Sequence, residues 1–166
     1  MKKRNLLLTI LIVLTILSCS SEKDEPIGSV VGTYSLISIE PNIALDTDLN
    51  GEFVNTELID YISCSSSMTL NSNGTIDWDY LNISQNLNSE TSTYTEIECQ
   101  KINGGTGQYE INYQGITLNF DSDINVISAN LSANLIKVKK NANLVVNIGG
   151  QIQLSTVELL YTYEEQ

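Results

Sequence analysis

From Val30 onward the chain alternates. Apolar and polar residues change places at nearly every step, and glycine, asparagine and aspartate break the alternation at short intervals. In Gly74-Thr75-Ile76-Asp77-Trp78-Asp79-Tyr80, the apolar Ile76, Trp78 and Tyr80 fall on one side of an extended chain and Asp77 and Asp79 on the other. That period of two predicts a half-buried strand. Ser66 to Leu70 precedes it across Asn71-Ser72-Asn73-Gly74, and an Asn-Gly pair favours the turn of a hairpin. Further strands are predicted at Val30–Ile39, Thr91–Gln100, Gln108–Tyr113, Ile116–Phe120, Ile124–Leu131, Leu135–Lys139, Leu144–Ile148 and Gln151–Tyr163. Turns are expected at Asn103-Gly104-Gly105, Gln114-Gly115, Asp121-Ser122-Asp123, Ala133-Asn134, Asn141-Ala142-Asn143 and Gly149-Gly150. No long amphipathic helix is foreseen, only one short helical turn at Leu58–Ile62 after the first strand.

Nine or ten short antiparallel strands joined by tight connections suit a meander, because the loops are too short for long crossovers. Closing the sheet removes its edges, which would otherwise invite pairing between molecules. The expected fold is all-β, a small up-and-down antiparallel barrel spanning residues 30–166.

The first thirty residues follow another pattern. Met1-Lys2-Lys3-Arg4-Asn5 is basic and Leu6–Leu17 is apolar, too short for a stop-transfer helix. This is the form of an export signal. Its end, Ile16-Leu17-Ser18-Cys19, resembles the lipobox of bacterial lipoproteins. The resemblance implies cleavage of residues 1–18, diacylglycerol on the Cys19 sulfur, and membrane attachment through acyl chains such as palmitate. Each buried methylene of such a chain contributes about 0.8 kcal/mol, so more than one chain is needed for a stable anchor. Residues 19–29 then read as a flexible tether, polar and without apolar periodicity. Within it, Glu22-Lys23-Asp24-Glu25 resembles the export signal that sends lipoproteins of Bacteroidota to the outer face of the outer membrane.

Charge narrows the partners. The chain carries a net −12, and losing Lys2, Lys3 and Arg4 would leave five bases against 20 acids, or −15. So acidic a domain is repelled by phosphate backbones, and nucleic acid is not an expected partner. With Cys19 acylated, Cys64 and Cys99 remain in an exported chain and are expected to pair. The alternative, a reactive thiol, lacks a basic residue beside Cys64 and meets Glu98 beside Cys99.

One stretch has ligand chemistry at a meaningful spacing. Asp46, Asp48 and Asn50 alternate, Gly51 permits a sharp reversal, and Glu57 stands twelve residues from the start of the run. The run Asp46–Glu57 resembles the calcium loop of EF-hand proteins, which implies Asp46, Asp48, Asn50, Glu52 and Glu57 as ligands of a structural Ca2+. An Asx-rich turn bonding its own backbone is the competing reading.

A second resemblance concerns the whole domain. Val31-Gly32-Thr33-Tyr34 resembles the Gly-x-Trp opening of lipocalins, with Tyr34 where tryptophan is usual. An acidic loop, a cysteine and the strand pair Met68–Ile76 follow, a layout similar to lipocalin-like domains of Bacteroidota lipoproteins. That likeness implies a barrel that either holds a small apolar ligand or is filled by side chains. Trp78, Tyr80, Tyr109, Tyr113 and Phe120, with Tyr161 and Tyr163, would line the cavity in the first case and form the core in the second. Lys137, Lys139 and Lys140 form a basic cluster, and Lys137 and Lys139 share one strand face, where an anion would dock unless this is merely a solvated outer face. Catalysis is not expected. The chain has no histidine, no phosphate loop, serine elbow or zinc spacing, and Asp77 and Asp79 point away from Trp78. The sequence thus points to a lipid-anchored surface binding module, or to an envelope protein with a filled barrel and a protein partner.

Overall fold

The computed structural model describes residues 30–55, 57–60, 62, 64–112, 115–120 and 127–166. The proposed leader, Cys19 and the tether lie outside these residues. The chain forms strands β1 (Gly32–Pro41), β2 (Ser67–Leu70), β3 (Thr75–Ser84), β4 (Leu87–Asn88), β5 (Thr93–Tyr94), β6 (Glu98–Asn112), β7 (Gly115–Phe120), β8 (Ile127–Ser132), β9 (Leu135–Ile148) and β10 (Gln151–Glu165). Eight of them close a barrel in the order β1-β10-β9-β8-β7-β6-β3-β2. Each of the eight pairs antiparallel with the next along the chain, and β10 returns to β1, with Tyr34 opposite Glu165 and Pro41 opposite Leu159. This is the expected up-and-down barrel.

Alternation builds the interior. Along β9, Ile136, Val138, Ala142, Leu144 and Val146 are buried at even positions, and along β10 Val157, Leu159, Tyr161 and Tyr163 are buried at odd ones. They meet Tyr34, Ile39, Met68, Leu70, Ile76, Trp78, Ile116 and Leu118 in one contiguous core. Fully burying an aliphatic or aromatic side chain contributes about 1.5–3 kcal/mol, so this shared interior dominates the stability. The Asn-Gly signal also holds: Gly74 takes φ 82° in the turn between β2 and β3, where an L side chain would be strained.

The connection from β1 to β2 does more than join them. It carries the expected helical turn, a 3-10 helix at Leu58–Asp60, and it contributes Leu45, Leu58 and Ile62 to the core. Leu45 and Val54 exchange both backbone hydrogen bonds, at 3.0 and 2.9 Å, closing the acidic loop at its base.

Three expectations fail, each for a local reason. Asn103-Gly104-Gly105 is no turn, because β6 runs through it. Three residues from Asn103 to Thr106 are fitted against the two-residue step from Asp77 to Asp79, and Gly105 at φ 81° lies within the bulge. Asn141-Ala142-Asn143 is no turn either. Ala142 stays in the inward register of β9, and the Asn143 carbonyl accepts the Gln85 N–H at 2.9 Å where β3 and β9 meet. Finally, the segment from Thr91 to Gln100 is divided. Its first part supplies β5, which pairs with β4 before the segment, and β6 begins only at Glu98. β6 and β9 are therefore longer than the turn residues suggest, at 15 and 14 residues.

Candidate functional site

The geometry converges on Trp78. Its ring centroid lies 5.6 Å from Tyr80, 5.5 Å from Phe120 and 6.0 Å from Tyr163, the last edge-on. Tyr80 shares its strand two residues on, Phe120 ends β7, and Tyr163 crosses from β10. Gly107 on β6 pairs with Phe120 and leaves room for it, since a Cβ there would meet the Asn119 carbonyl and the Phe120 ring.

The indole has two chemically different sides. On one, its Nε1–H donates to the Tyr163 hydroxyl at 2.9 Å, and that hydroxyl lies 2.9 Å from the Ser66 Oγ. Ser66 in turn donates to the Asp79 carbonyl. The single Ser66 proton is committed to that carbonyl, so Tyr163 donates to Ser66 and a one-way chain runs Trp78, Tyr163, Ser66, Asp79. Burial pushes the Tyr163 phenol up to about 12, although its hydrogen bonds with Ser66 and Trp78 pull the other way. Every polar group on this side is satisfied.

On the other side stands Lys140. It falls at an even position of β9, in register with the buried Val138 and Ala142, and is half-buried. Its Nζ lies 3.5 Å from the centroid of the Tyr80 ring and 5.6 Å from that of Trp78. Two ring faces attract an ammonium electrostatically. Burial works against the charge and lowers the lysine to about 8. Among the described residues no carboxylate pairs with Lys140, whereas Lys139 reaches Glu158 at 2.8 Å and Lys101 reaches Asp79 at 2.7 Å.

The remaining sequence-predicted residues fall elsewhere. Tyr109 is half-buried and donates to the Asn71 carbonyl at 2.9 Å, beside the β2–β3 turn. Tyr161 is buried with its hydroxyl 3.5 Å from the Leu81 carbonyl, and burial raises its pKa. Tyr113 lies outside the described residues. Trp78, Tyr34, Tyr161 and Tyr163 are buried in one cluster with the aliphatic core, with the Trp78 and Tyr163 rings in edge contact. Solvent-lined pockets of about 220, 230 and 210 Å3 are instead bounded by Thr47, Asp48, Glu96 and Ile97, by Glu40, Pro41, Asn55 and Glu57, and by the Glu40–Lys139–Glu158 surface.

In the acidic loop, Asp46 is buried and both its carboxylate oxygens accept backbone N–H groups, from Asn50 at 3.1 Å and Gly51 at 3.0 Å. Asp48 accepts the Asn50 side-chain amide at 2.9 Å, and Asn50 accepts the Glu52 N–H at 2.7 Å. Leu49 and Gly51 adopt φ 59° and 87°, the left-handed values of a tight Asx-rich turn. Glu57 borders a different pocket from Asp48. Among the described residues no three acidic, histidine or cysteine groups stand together as a metal cage. The arrangement is a hydrogen-bonded Asx-rich turn in which each Asp46 oxygen accepts one N–H and carries a second lone pair.

Cys64 and Cys99 form a disulfide with Cα atoms 6.2 Å apart. It ties the segment carrying Ser66 to the start of β6. Asp77 accepts the Asn71 amide at 3.0 Å and Asp79 is held by Lys101, so neither faces a second acid across a cleft. Two residues escaped sequence reasoning. Gln85 is buried, donates to the Thr95 carbonyl at 3.3 Å and accepts the Val145 N–H at 2.8 Å, stitching β3 to β9. Nothing in the sequence marks it. Lys140 was legible, since its parity along β9 is that of Val138.

Compared with family models, curated proteins and solved structures, the chain matches none. What fold and site define is a class: a closed eight-stranded meander barrel with a disulfide staple and an aromatic cluster capped by one lysine.

Proposed function

We propose that this chain is a lipid-anchored, non-catalytic binding module of the outer membrane, displayed at the cell surface through an acylated Cys19. The observation that carries the reading is the satisfied network around Trp78. The chain from Trp78 to Asp79 uses each donor once, which supports reading this part of the interior as scaffold and leaves recognition to the surface. The absence of histidine from the whole sequence and the engagement of Asp77 and Asp79 by Asn71 and Lys101 support a non-catalytic role. Between a small apolar ligand held inside and a filled barrel that docks an envelope protein, the burial of Trp78, Tyr161 and Tyr163 in one core cluster favours the filled form.

Protease treatment of intact cells tests the display: loss of the domain without lysis is expected, and protection overturns surface exposure. Cys19→Ala should move the protein from the membrane fraction to the soluble one. Mass spectrometry of the purified protein should find no stoichiometric apolar molecule, and finding one would reinstate the interior ligand. Calcium enters this proposal only as an exchange, in which the cation takes Asp46 from the Asn50 and Gly51 N–H groups and brings Glu57 in. That exchange predicts a Tm that rises with calcium and falls back with EDTA. An unmoved Tm leaves the loop as a hydrogen-bonded turn.

A further inference from the structure

Past the last residues of β1, the strands β9 and β10 continue as a two-stranded ribbon. It turns at Gly149 and Gly150, both at positive φ, and pairs Gln151 with Ile148 and Val157 with Ala142. On the seam with β1, the pairing ends at Pro41 opposite Leu159, and the last backbone bond among the described residues runs from the Asn42 N–H to the Glu158 carbonyl at 3.0 Å. Successive residues of a strand turn their N–H and C=O groups to opposite sides, so Thr156, Leu154 and Ile152 present theirs to the same edge as Glu158, beyond the end of β1. The side chains there are open to solvent. Ile152 is 52% and Leu154 39% exposed, and Gln151, Gln153 and Thr156 are exposed as well. The opposite edge of the ribbon is held, because the Gln85 side chain accepts the Val145 N–H and the Gln85 N–H donates to the Asn143 carbonyl.

Proteins ordinarily blunt an open edge with a lysine, a proline, a bulge or a covering segment. Asn141 to Val157 contains no proline and no charged residue, and β10 pairs with β9 from Gln151 to Glu164 without a bulge. The missing charge also selects the occupant. Two copies of a chain with net charge −12 repel each other over most of their surface, and least where neither carries charge. An antiparallel strand pair about a two-fold axis is self-complementary, since each bond made by one copy is repeated by the other. The chain enters β1 at Gly32, beside Leu70, at the far end of the barrel from the ribbon. We infer that the β10 edge from Ile152 to Thr156 docks a second copy of this chain, the two edges pairing antiparallel so that both ribbons join in one four-stranded sheet. Ile152 and Leu154 of each copy then lie on one face of that sheet and cover one another's apolar surface. A contact so short is small for a protein interface, so the dimer forms in a concentration-dependent way. The inference goes beyond the anchored-module reading and stands without it.

The full-length protein, purified and kept in detergent, would be followed by sedimentation over a concentration series, and a monomer–dimer equilibrium is expected. Leu154→Pro removes an N–H that faces the open edge and leaves the ladder to β9 intact. Ile152→Lys sets like charges against each other across the seam. Each should weaken dimerisation by about ten-fold or more. Ile37→Lys changes a residue of similar exposure, 43%, on β1 and should leave the dimer as it was. Circular dichroism and urea denaturation show whether each variant keeps the barrel, and if proline disturbs it, Ile152→Lys carries the test. A chain that stays monomeric at every concentration overturns the proposal, whether or not the edge takes a strand from another protein. A dimer that survives the edge substitutions in folded variants, or that Ile37→Lys weakens equally, overturns it too.

Discussion

The two sides of the Trp78 indole solve the same problem differently. Toward Tyr163 the chain surrounds polar atoms with polar atoms, so that one N–H and two hydroxyls end on a backbone carbonyl. Toward Lys140 it surrounds a charge with ring faces. The first arrangement is complete in itself and fixes the position of the ring; the second holds a half-buried charge against the ring faces. Substitutions can separate the two.

The largest effect is expected where both sides are lost at once. Trp78→Ala removes the ring on which Tyr80, Phe120, Tyr163 and Lys140 converge and should destabilise by about 3–5 kcal/mol, measured by urea denaturation. Next comes the disulfide on the hydrogen-bonded side. Cys64→Ser with Cys99→Ser reopens a loop of sequence separation 35 and should lower stability by about 3–4 kcal/mol, with the refolded barrel retaining its near-ultraviolet signal. A loss below about 1 kcal/mol would mean that the β1–β2 connection is held by Leu45, Leu58 and Ile62 alone. Tyr163→Phe is narrower. It keeps the ring and orphans the Trp78 N–H, for a cost of about 1–3 kcal/mol by urea denaturation.

The legibility of the chain follows the same division. Alternation revealed the barrel wall, because a strand with one wet and one dry face must carry that pattern: Ile76 and Trp78 were placed on one face by parity, and Ile136 and Val138 are buried in the same alternation. Parity said the same of Lys140, and the reading of a basic cluster on an outer face obscured it by grouping neighbours that point in opposite directions. Turn residues misled where they served another purpose. Gly105 belongs to a bulge and Asn143 offers a carbonyl to Gln85, both inside long strands. The acidic loop was ambiguous for a deeper reason. A calcium loop and an Asx-rich turn use the same oxygens at the same spacing, and only coordinates tell whether Asp46 faces a cation or the Asn50 and Gly51 N–H groups. Gln85 was invisible, since its partners Thr95, Asn143 and Val145 are distant in sequence.

The smallest effect, and the sharpest, concerns charge on the lysine side. Burial lowers Lys140 to about 8 in the folded barrel, against 10.5 for an ordinary lysine. Between those values the unfolded chain holds a proton that the folded one has released, so stability rises as pH rises through that window and is least favoured below it. The upper bound is about 3 kcal/mol, and solvent access together with the Tyr80 and Trp78 faces should reduce it to about 1. Above the ordinary tyrosine range the sign reverses. Tyr34, Tyr161 and Tyr163 are all raised, chiefly by burial, so the folded state then holds protons the unfolded chain has lost, and stability falls. Wild-type stability should therefore peak between about pH 9 and 10. Lys140→Met, which keeps the stem and removes the charge, should differ by about 1 kcal/mol or less at pH 7, lack the rise from pH 8, and keep the alkaline fall. A variant that still showed the rise would assign it to another group, and the lysine side of the indole would then be no more strained than the hydrogen-bonded one.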